Sequence, residues 1–361
     1  MAPPDPRLDA PSSPILVVPY MWIGDFVRCH SVVKLLKRRF PASPVDVLTT
    51  AIVSPLIDYM PGVREGIVAD LPRRRLGLGR HHELAGRLRQ QGYGQALVMP
   101  RTWKSALAPY LAGIPRRTGF VGECRFGLVN DLRWGERKLP RMIDRCATLA
   151  LPKGELPPAE WPSPELVVPP AEVAAWRRRL GLEGGTGVDI AIAPGAVGPA
   201  KRWPAFFYAG LARQLAGAGH RVWILGGPKE GALAAEIAGA EHLGIRDLTG
   251  PDLRTAILAL AAAHVAVSND SGLMHVAAAL GTPTIGIFGP TSPSLWAPLN
   301  PLSAVIEAQS ELACRPCHKP VCRLDHHRCM RDITVDQVLA ATQAAIRAAH
   351  SAHARGAATS T

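Results

Sequence analysis

The run Val265-Ala266-Val267-Ser268-Asn269-Asp270-Ser271-Gly272-Leu273-Met274-His275-Val276-Ala277-Ala278-Ala279-Leu280 decides how the chain folds. β-Branched residues open it, a polar Asn-Asp-Ser-Gly break interrupts it, and the apolar, Ala-rich stretch Val276 to Leu280 closes it. The order is strand, loop, helix. Asp270 and Ser271 are suited to cap the helix. The N–H groups of a helix start lack partners within the helix and carry the positive end of the macrodipole, which suits a phosphate. Gly272 lets a ligand approach the backbone, and His275 falls where it can donate to a phosphate or a sugar hydroxyl. A carboxylate aimed at a diphosphate would repel it, so Asp270 is expected to cap the helix or to accept from sugar hydroxyls.

Outward from this run the same plan repeats. Asp189 to Ala193, Arg221 to Leu225 and Thr284 to Phe288 are further strands of the second half, separated by Ala-rich helical segments. In the first half, Ile15 to Pro19, Val45 to Thr50 and Ala96 to Pro100 read as strands. Gly24-Asp25 forms a loop after the first of them, and helical spacing follows from Phe26 to Phe40 and from His82 to Gln91. Strands alternating with helices imply parallel sheets covered on both faces, here one Rossmann-like unit per half. The Pro-rich passage Leu151 to Pro170 continues neither a helix nor a central strand and is the expected linker. The predicted organisation is a loose tail over residues 1–14, a first domain over 15–168, a second over 169–350 and a tail over 351–361. With two such units the active site is expected in the cleft between them.

A length of 361 residues fits two domains of roughly 150. With 47% apolar and 19% charged residues, the chain can fill real cores. No secretory signal and no membrane span is legible, so a cytoplasmic location is expected. The net charge of +12 is one-sided, because residues 1–180 hold 27 Lys and Arg against 16 Asp and Glu. A one-sided positive field concentrates anionic partners, and Arg73, Arg74, Arg75, Arg101 and Lys104 are candidates to meet one, with Arg116 and Arg117 beside them.

Two further loops at strand ends carry nucleotide-binding chemistry. Gly195-Ala196-Val197-Gly198 leads to Lys201, a compact charge able to pair with a phosphate, and Gly226-Gly227 allows close backbone approach. The cluster Cys314-x2-Cys317-x4-Cys322-x6-Cys329 also holds His318, His326 and His327. Four thiols can satisfy tetrahedral zinc in principle, but the spacing is not that of a standard finger. The cluster is therefore read as reduced thiols in a packed loop.

Over most of its length the sequence resembles glycosyltransferase family 9, the lipopolysaccharide heptosyltransferases. The resemblance is carried by Gly24-Asp25, Pro194 to Pro204, Ser268 to Leu280, Phe288-Gly289-Pro290-Thr291 and Cys314 to Met330. It implies an α/β, GT-B architecture and an inverting, metal-independent transferase without a cofactor. Such an enzyme moves L-glycero-D-manno-heptose from ADP-heptose onto the anionic heptosyl-Kdo2-lipid A inner core, with peripheral contact at the inner membrane and no nucleic acid partner. Carried over by position, Asp25 is the catalytic base and Lys201 the diphosphate-binding lysine. Asp270, Ser271, Gly272 and His275 form the donor motif, with Gly226 and the backbone of Gly195, Ala196 and Val197 beside it. Where some members place hydroxyl residues before the lysine, this chain has Ala196 and Val197, which leaves phosphate contacts there to backbone N–H groups.

Competing readings predict different features. A nucleotide-sugar epimerase needs no separate anionic acceptor, so the charge asymmetry argues against it. A membrane-surface adaptor would bind vesicles without releasing ADP. A nicotinamide dehydrogenase would show Gly-x-Gly-x-x-Gly after the first strand, which is missing here.

Overall fold

The computed structural model describes residues 13–72, 77–184, 187–239 and 244–358. The chain divides into two compact units, Met1–Glu165 and Leu166–Thr361. The first is built on β1 (Ile15–Val18), β2 (Val45–Thr49), β3 (Glu65–Val68), β4 (Gln95–Val98), β5 (Arg116–Phe120) and β6 (Asp131–Arg133), in spatial order β3-β2-β1-β4-β5-β6. The second is built on β7 (Asp189–Ala193), β8 (Arg221–Ile224), β9 (Ile245–Asp247), β10 (Val265–Asn269), β11 (Thr284–Phe288) and β12 (Ala304–Glu307), in order β12-β11-β10-β7-β8-β9. Each pairing is parallel. The two orders are the same doubly wound arrangement. In each unit the first strand lies beside the fourth, and the crevice beyond their carboxyl ends is where such sheets receive ligands.

Register fixes what shares that crevice. In the first unit Val18 pairs with Val98, so the segments that lead to Asp25 and to Arg101 leave the sheet side by side. In the second unit Ala193 pairs with Ser268, so the loop from Pro194 and the loop from Asn269 leave side by side. The central strands are buried on both faces, in keeping with their mostly apolar sequences. At the opposite end of each sheet lies a fully buried aspartate. Asp46 is held by Arg64 and by the Tyr93 hydroxyl at 2.6 Å, and Asp189 by Arg177 and by Arg221 Nε at 2.6 Å.

Several local expectations change. Helical spacing over Phe26–Phe40 resolves into two helices, Ile23–Arg28 and His30–Arg39, meeting at Cys29. Asp25 therefore lies in the first turn of a helix and not in a preceding loop. The second-unit helix starts at Gly272 with Ser271 in the N-cap position, one of the two residues expected there, and its buried face already begins at Met274. The Pro-rich passage runs without regular structure until the helix Pro170–Arg179, whose first-turn proline fits its missing N–H. Within it Trp161 is buried, donating to Asp144 Oδ1 at 2.8 Å. No helix among the described residues is long and apolar enough to cross a membrane.

Candidate active site

In the second unit the site is assembled by one side chain that sequence reading quoted without a role. Asn269, the last residue of β10, is fully buried. Its amide nitrogen donates to the Pro194 carbonyl at 2.7 Å and its Oδ1 accepts from the Trp203 N–H at 3.1 Å. The two ends of the loop that carries Lys201 are thus tied to the strand that delivers Asp270. The signal for it was the position itself, an amide at a buried strand end with backbone groups on either side to satisfy.

Lys201 ends a short turn, Pro199–Lys201. Its Nζ donates to Asp270 Oδ2 at 2.7 Å, with the carboxylate buried and the lysine stem partly covered. Asp270 therefore neither caps the helix nor stands free. The lysine offsets the charge of the carboxylate at this helix start. Ser271 does occupy the N-cap position of Gly272–Ala279, but its hydroxyl meets Ser268 Oγ at 3.0 Å and makes no cap bond. The unpartnered N–H groups of that helix start are left to a ligand, the arrangement that suits an anion. His275, one turn in, is buried.

The glycine loops serve packing as well as access. A Cβ at Gly195 would stand 2.8 Å from Glu230 Cγ, and one at Gly226 would stand 2.8 Å from Glu230 Cβ. Glu230 in turn accepts from the Gly227 N–H at 2.9 Å. The Cβ directions of Gly195 and Gly226 are thus both taken by the stem of Glu230. Ala196 is nearly buried and its carbonyl accepts from Arg202 Nε at 3.1 Å, whereas Val197 is exposed.

In the first unit Asp25 Oδ1 accepts from Arg28 Nη1 at 2.8 Å, one turn on. Arg28 is buried, so this pair is weakly screened and favours the ionised carboxylate. Around it lie Cys146 and Tyr20, which the sequence reading passed over. Burial, and then the nearby Asp25 carboxylate, push the Cys146 thiol up to about 12. Burial above all, with Cys146, Glu136 and Asp25, also raises the Tyr20 phenol, which stays protonated. The Trp22 indole, three residues before Asp25, is half exposed. Arg101, also half exposed, pairs with Glu136 at 2.9 Å.

Other cations have structural partners. Arg116 pairs with Asp131, and Arg117 donates to the carbonyls of Ile114, Leu128 and Gly127. Lys104 is near enough to His81 to depress that imidazole, after burial. Arg73, Arg74 and Arg75 lie outside the described residues. A missed arginine, Arg125, is buried and donates to the carbonyls of Phe120 and Pro100 at the ends of β5 and β4, at 2.9 and 2.6 Å. The four cysteines from Cys314 to Cys329 are unbridged and line one cavity with His326 and His327. Among the described residues no three His, Cys, Asp or Glu side chains form a metal-holding group.

Two doubly wound parallel sheets in one chain are the architecture found in GT-B glycosyltransferases. The sequence profile of glycosyltransferase family 9 (heptosyltransferase) matches residues 81–327. The lipopolysaccharide heptosyltransferase 2 of Escherichia coli K12 is 37% identical over 339 residues, covering 90% of this chain and 96% of that protein. The lipooligosaccharide heptosyltransferase 2 of Haemophilus influenzae is 37% identical over 81% of this chain and 88% of its own length. Among solved structures, the ADP-heptose lipopolysaccharide heptosyltransferase II of E. coli superposes with a TM-score of 0.81 at 36% identity, covering 92% of this chain and 98% of that one. The chain belongs to glycosyltransferase family 9.

Proposed function

We propose that the chain transfers L-glycero-D-manno-heptose from ADP-heptose to the heptosyl-Kdo2-lipid A inner core of lipopolysaccharide, on the cytoplasmic side of the inner membrane and in peripheral contact with it. The observation that carries the donor reading is the Lys201 ammonium held at 2.7 Å from Asp270, at the crevice where the helix Gly272–Ala279 begins. A cation and unpartnered N–H groups converge there as a diphosphate requires. The choice of the second heptose is supported by the relatives that match over most of the chain, each named heptosyltransferase 2.

In one inverting displacement the acceptor hydroxyl oxygen bonds to the anomeric carbon as the bond to the ADP oxygen breaks. Asp25 takes the hydroxyl proton, and its first-turn position and its pair with Arg28 hold it as the carboxylate needed for that role. Negative charge gathers on the departing diphosphate, where Lys201 and the helix start compensate it without a divalent ion. The positive first unit suits a phosphorylated acceptor, with Arg101 and Lys104 the described candidates to meet it and Arg73, Arg74 and Arg75 beside them in the proposal. The test is incubation with ADP-heptose and defined inner-core acceptors, read by mass: one added heptose on the monoheptosyl acceptor supports the reading. Transfer only to an acceptor without heptose would make the chain a first heptosyltransferase instead.

A further inference from the structure

The cysteine-rich segment Cys314–Cys329 is a chemical feature that the proposed transfer leaves unused. Its four thiols, with His326 and His327, border a cavity of about 230 Å³ that Ala200 also lines. The informative point is where the segment meets Ala200, the residue before Lys201. The Ala200 N–H donates to the Pro320 carbonyl at 3.0 Å, and the Ala200 carbonyl lies 2.8 Å from His327 Nε2. A carbonyl only accepts, so Nε2 carries the proton in this contact. The same peptide plane is held at its other end, because the Lys201 N–H donates to the Gly198 carbonyl at 3.1 Å.

Pro320 also presses on the turn directly. A Cβ at Gly198, which has φ 94°, would stand 3.0 Å from the Pro320 Cα and carbonyl oxygen. On its far side the segment is anchored after β11. The His318 N–H donates to the Pro290 carbonyl at 2.9 Å, and Arg315 Nε donates to the Gly289 carbonyl at 2.6 Å. The segment is therefore clamped between the loop after β11 and the turn that carries the lysine.

We propose that this segment is a brace for the donor lysine, and that His327 is the positioning residue that fixes the Ala200–Lys201 peptide and so sets where the lysine stem leaves the turn. A lysine has a long, freely rotating stem, so its charge meets a diphosphate with useful strength only if its backbone root is fixed. The inference rests on Lys201 meeting the donor diphosphate.

The test measures ADP affinity by calorimetry on the full chain. His327→Ala removes one hydrogen bond at the root of Lys201 and is expected to weaken ADP about three- to tenfold. His327→Gln, whose amide nitrogen reaches as far as Nε2, is expected to recover most of that loss. His327 has φ 48°, and both variants carry the same strain of a left-handed backbone, so their difference reports the hydrogen bond. If the alanine variant melts too early to assay, His327→Asn tolerates that backbone while its shorter amide cannot reach the carbonyl.

In a Lys201→Ala background the His327 substitution should cost nothing more, because a brace without its lysine has nothing to position. ADP binding by His327→Ala at the wild-type level would overturn the brace. So would a loss that persists undiminished when Lys201 is already gone, since His327 would then act by another route. If Lys201→Ala itself binds ADP like wild type, the donor reading fails and the brace with it. A clear Lys201 effect with a silent His327 overturns the brace alone.

Discussion

Replacing Lys201 by alanine should cost more than a lost contact, because it also uncovers Asp270. In the free protein the two side chains pair at 2.7 Å, and Asp270 is 6% exposed. A charge-assisted hydrogen bond to a diphosphate contributes about 1.5–3 kcal/mol. The uncovered carboxylate adds repulsion, and two unit charges about 7 Å apart at an effective dielectric of about 20 interact by roughly 2 kcal/mol. Lys201 is 29% exposed, so solvent screens part of both effects. A combined loss of about 2–4 kcal/mol is expected, roughly 30- to 1,000-fold in ADP affinity at low salt. Titration calorimetry with ADP, repeated at raised ionic strength, reads this directly. Lys201→Ala combined with Asp270→Asn should recover part of the loss by removing the repulsion alone. ADP affinity within about twofold of wild type in Lys201→Ala, or a double variant no better than the single one, would refute the reasoning.

Asp25→Asn keeps the size of the side chain but cannot take the acceptor's proton, so turnover should fall about 10²- to 10⁴-fold while ADP still binds normally. Near-normal turnover on a verified acceptor would remove Asp25 from the chemistry. Asp189→Ala leaves Arg177 and Arg221 without their shared carboxylate at the base of the second sheet, and a urea melt should show about 2–4 kcal/mol lost. A loss below about 1 kcal/mol would show that the partly exposed guanidinium groups are content in water. Burial pushes the Asp144 carboxyl up, but Arg141 and the Trp161 indole outweigh it and hold it below the ordinary value. Its contribution is therefore full above about pH 4 and is lost as the pH falls through the depressed value. Trp161 fluorescence should report that loss, and a signal unchanged in acid until the whole first unit unfolds would contradict the coupling. Transfer should persist in EDTA, and restoration by magnesium after its abolition would assign the diphosphate's charge compensation to an ion.

The central strands were legible because their signal is local. Ile15 to Val18, Val45 to Thr49, Asp189 to Ala193, Val265 to Asn269 and Thr284 to Phe288 are mostly apolar or β-branched, as strands buried on both faces tend to be. The outer strands were not. Glu65–Val68, Asp131–Arg133 and Ile245–Asp247 are short, polar and partly exposed, and nothing local distinguishes them from loop. They are strands because a neighbour already in place offers backbone partners, which is a property of the sheet.

The same divide runs through the site. Lys201 and Asp270 were legible as chemistry, since a cation and a helix start at strand ends are local features. Their pairing was not, because 69 residues separate them and only the register of β7 against β10 brings their loops together. Glu230 shows the other limit: glycines at 195 and 226 looked like room for a ligand, and what lies along their Cβ directions is one side chain from the end of the Gly226 loop. A small residue in a sequence says that something approaches closely; only the fold says what. That distinction bears on Ala196 and Val197, which bring no hydroxyl to the loop before the lysine. With Ala196 packed and its carbonyl taken by Arg202, this turn offers a diphosphate no side-chain donor before the lysine. In the proposed donor site the cationic contact then falls more heavily on Lys201, and the proposed fixing of its backbone root by Asn269 at the loop ends and by His327 at the turn matters correspondingly more.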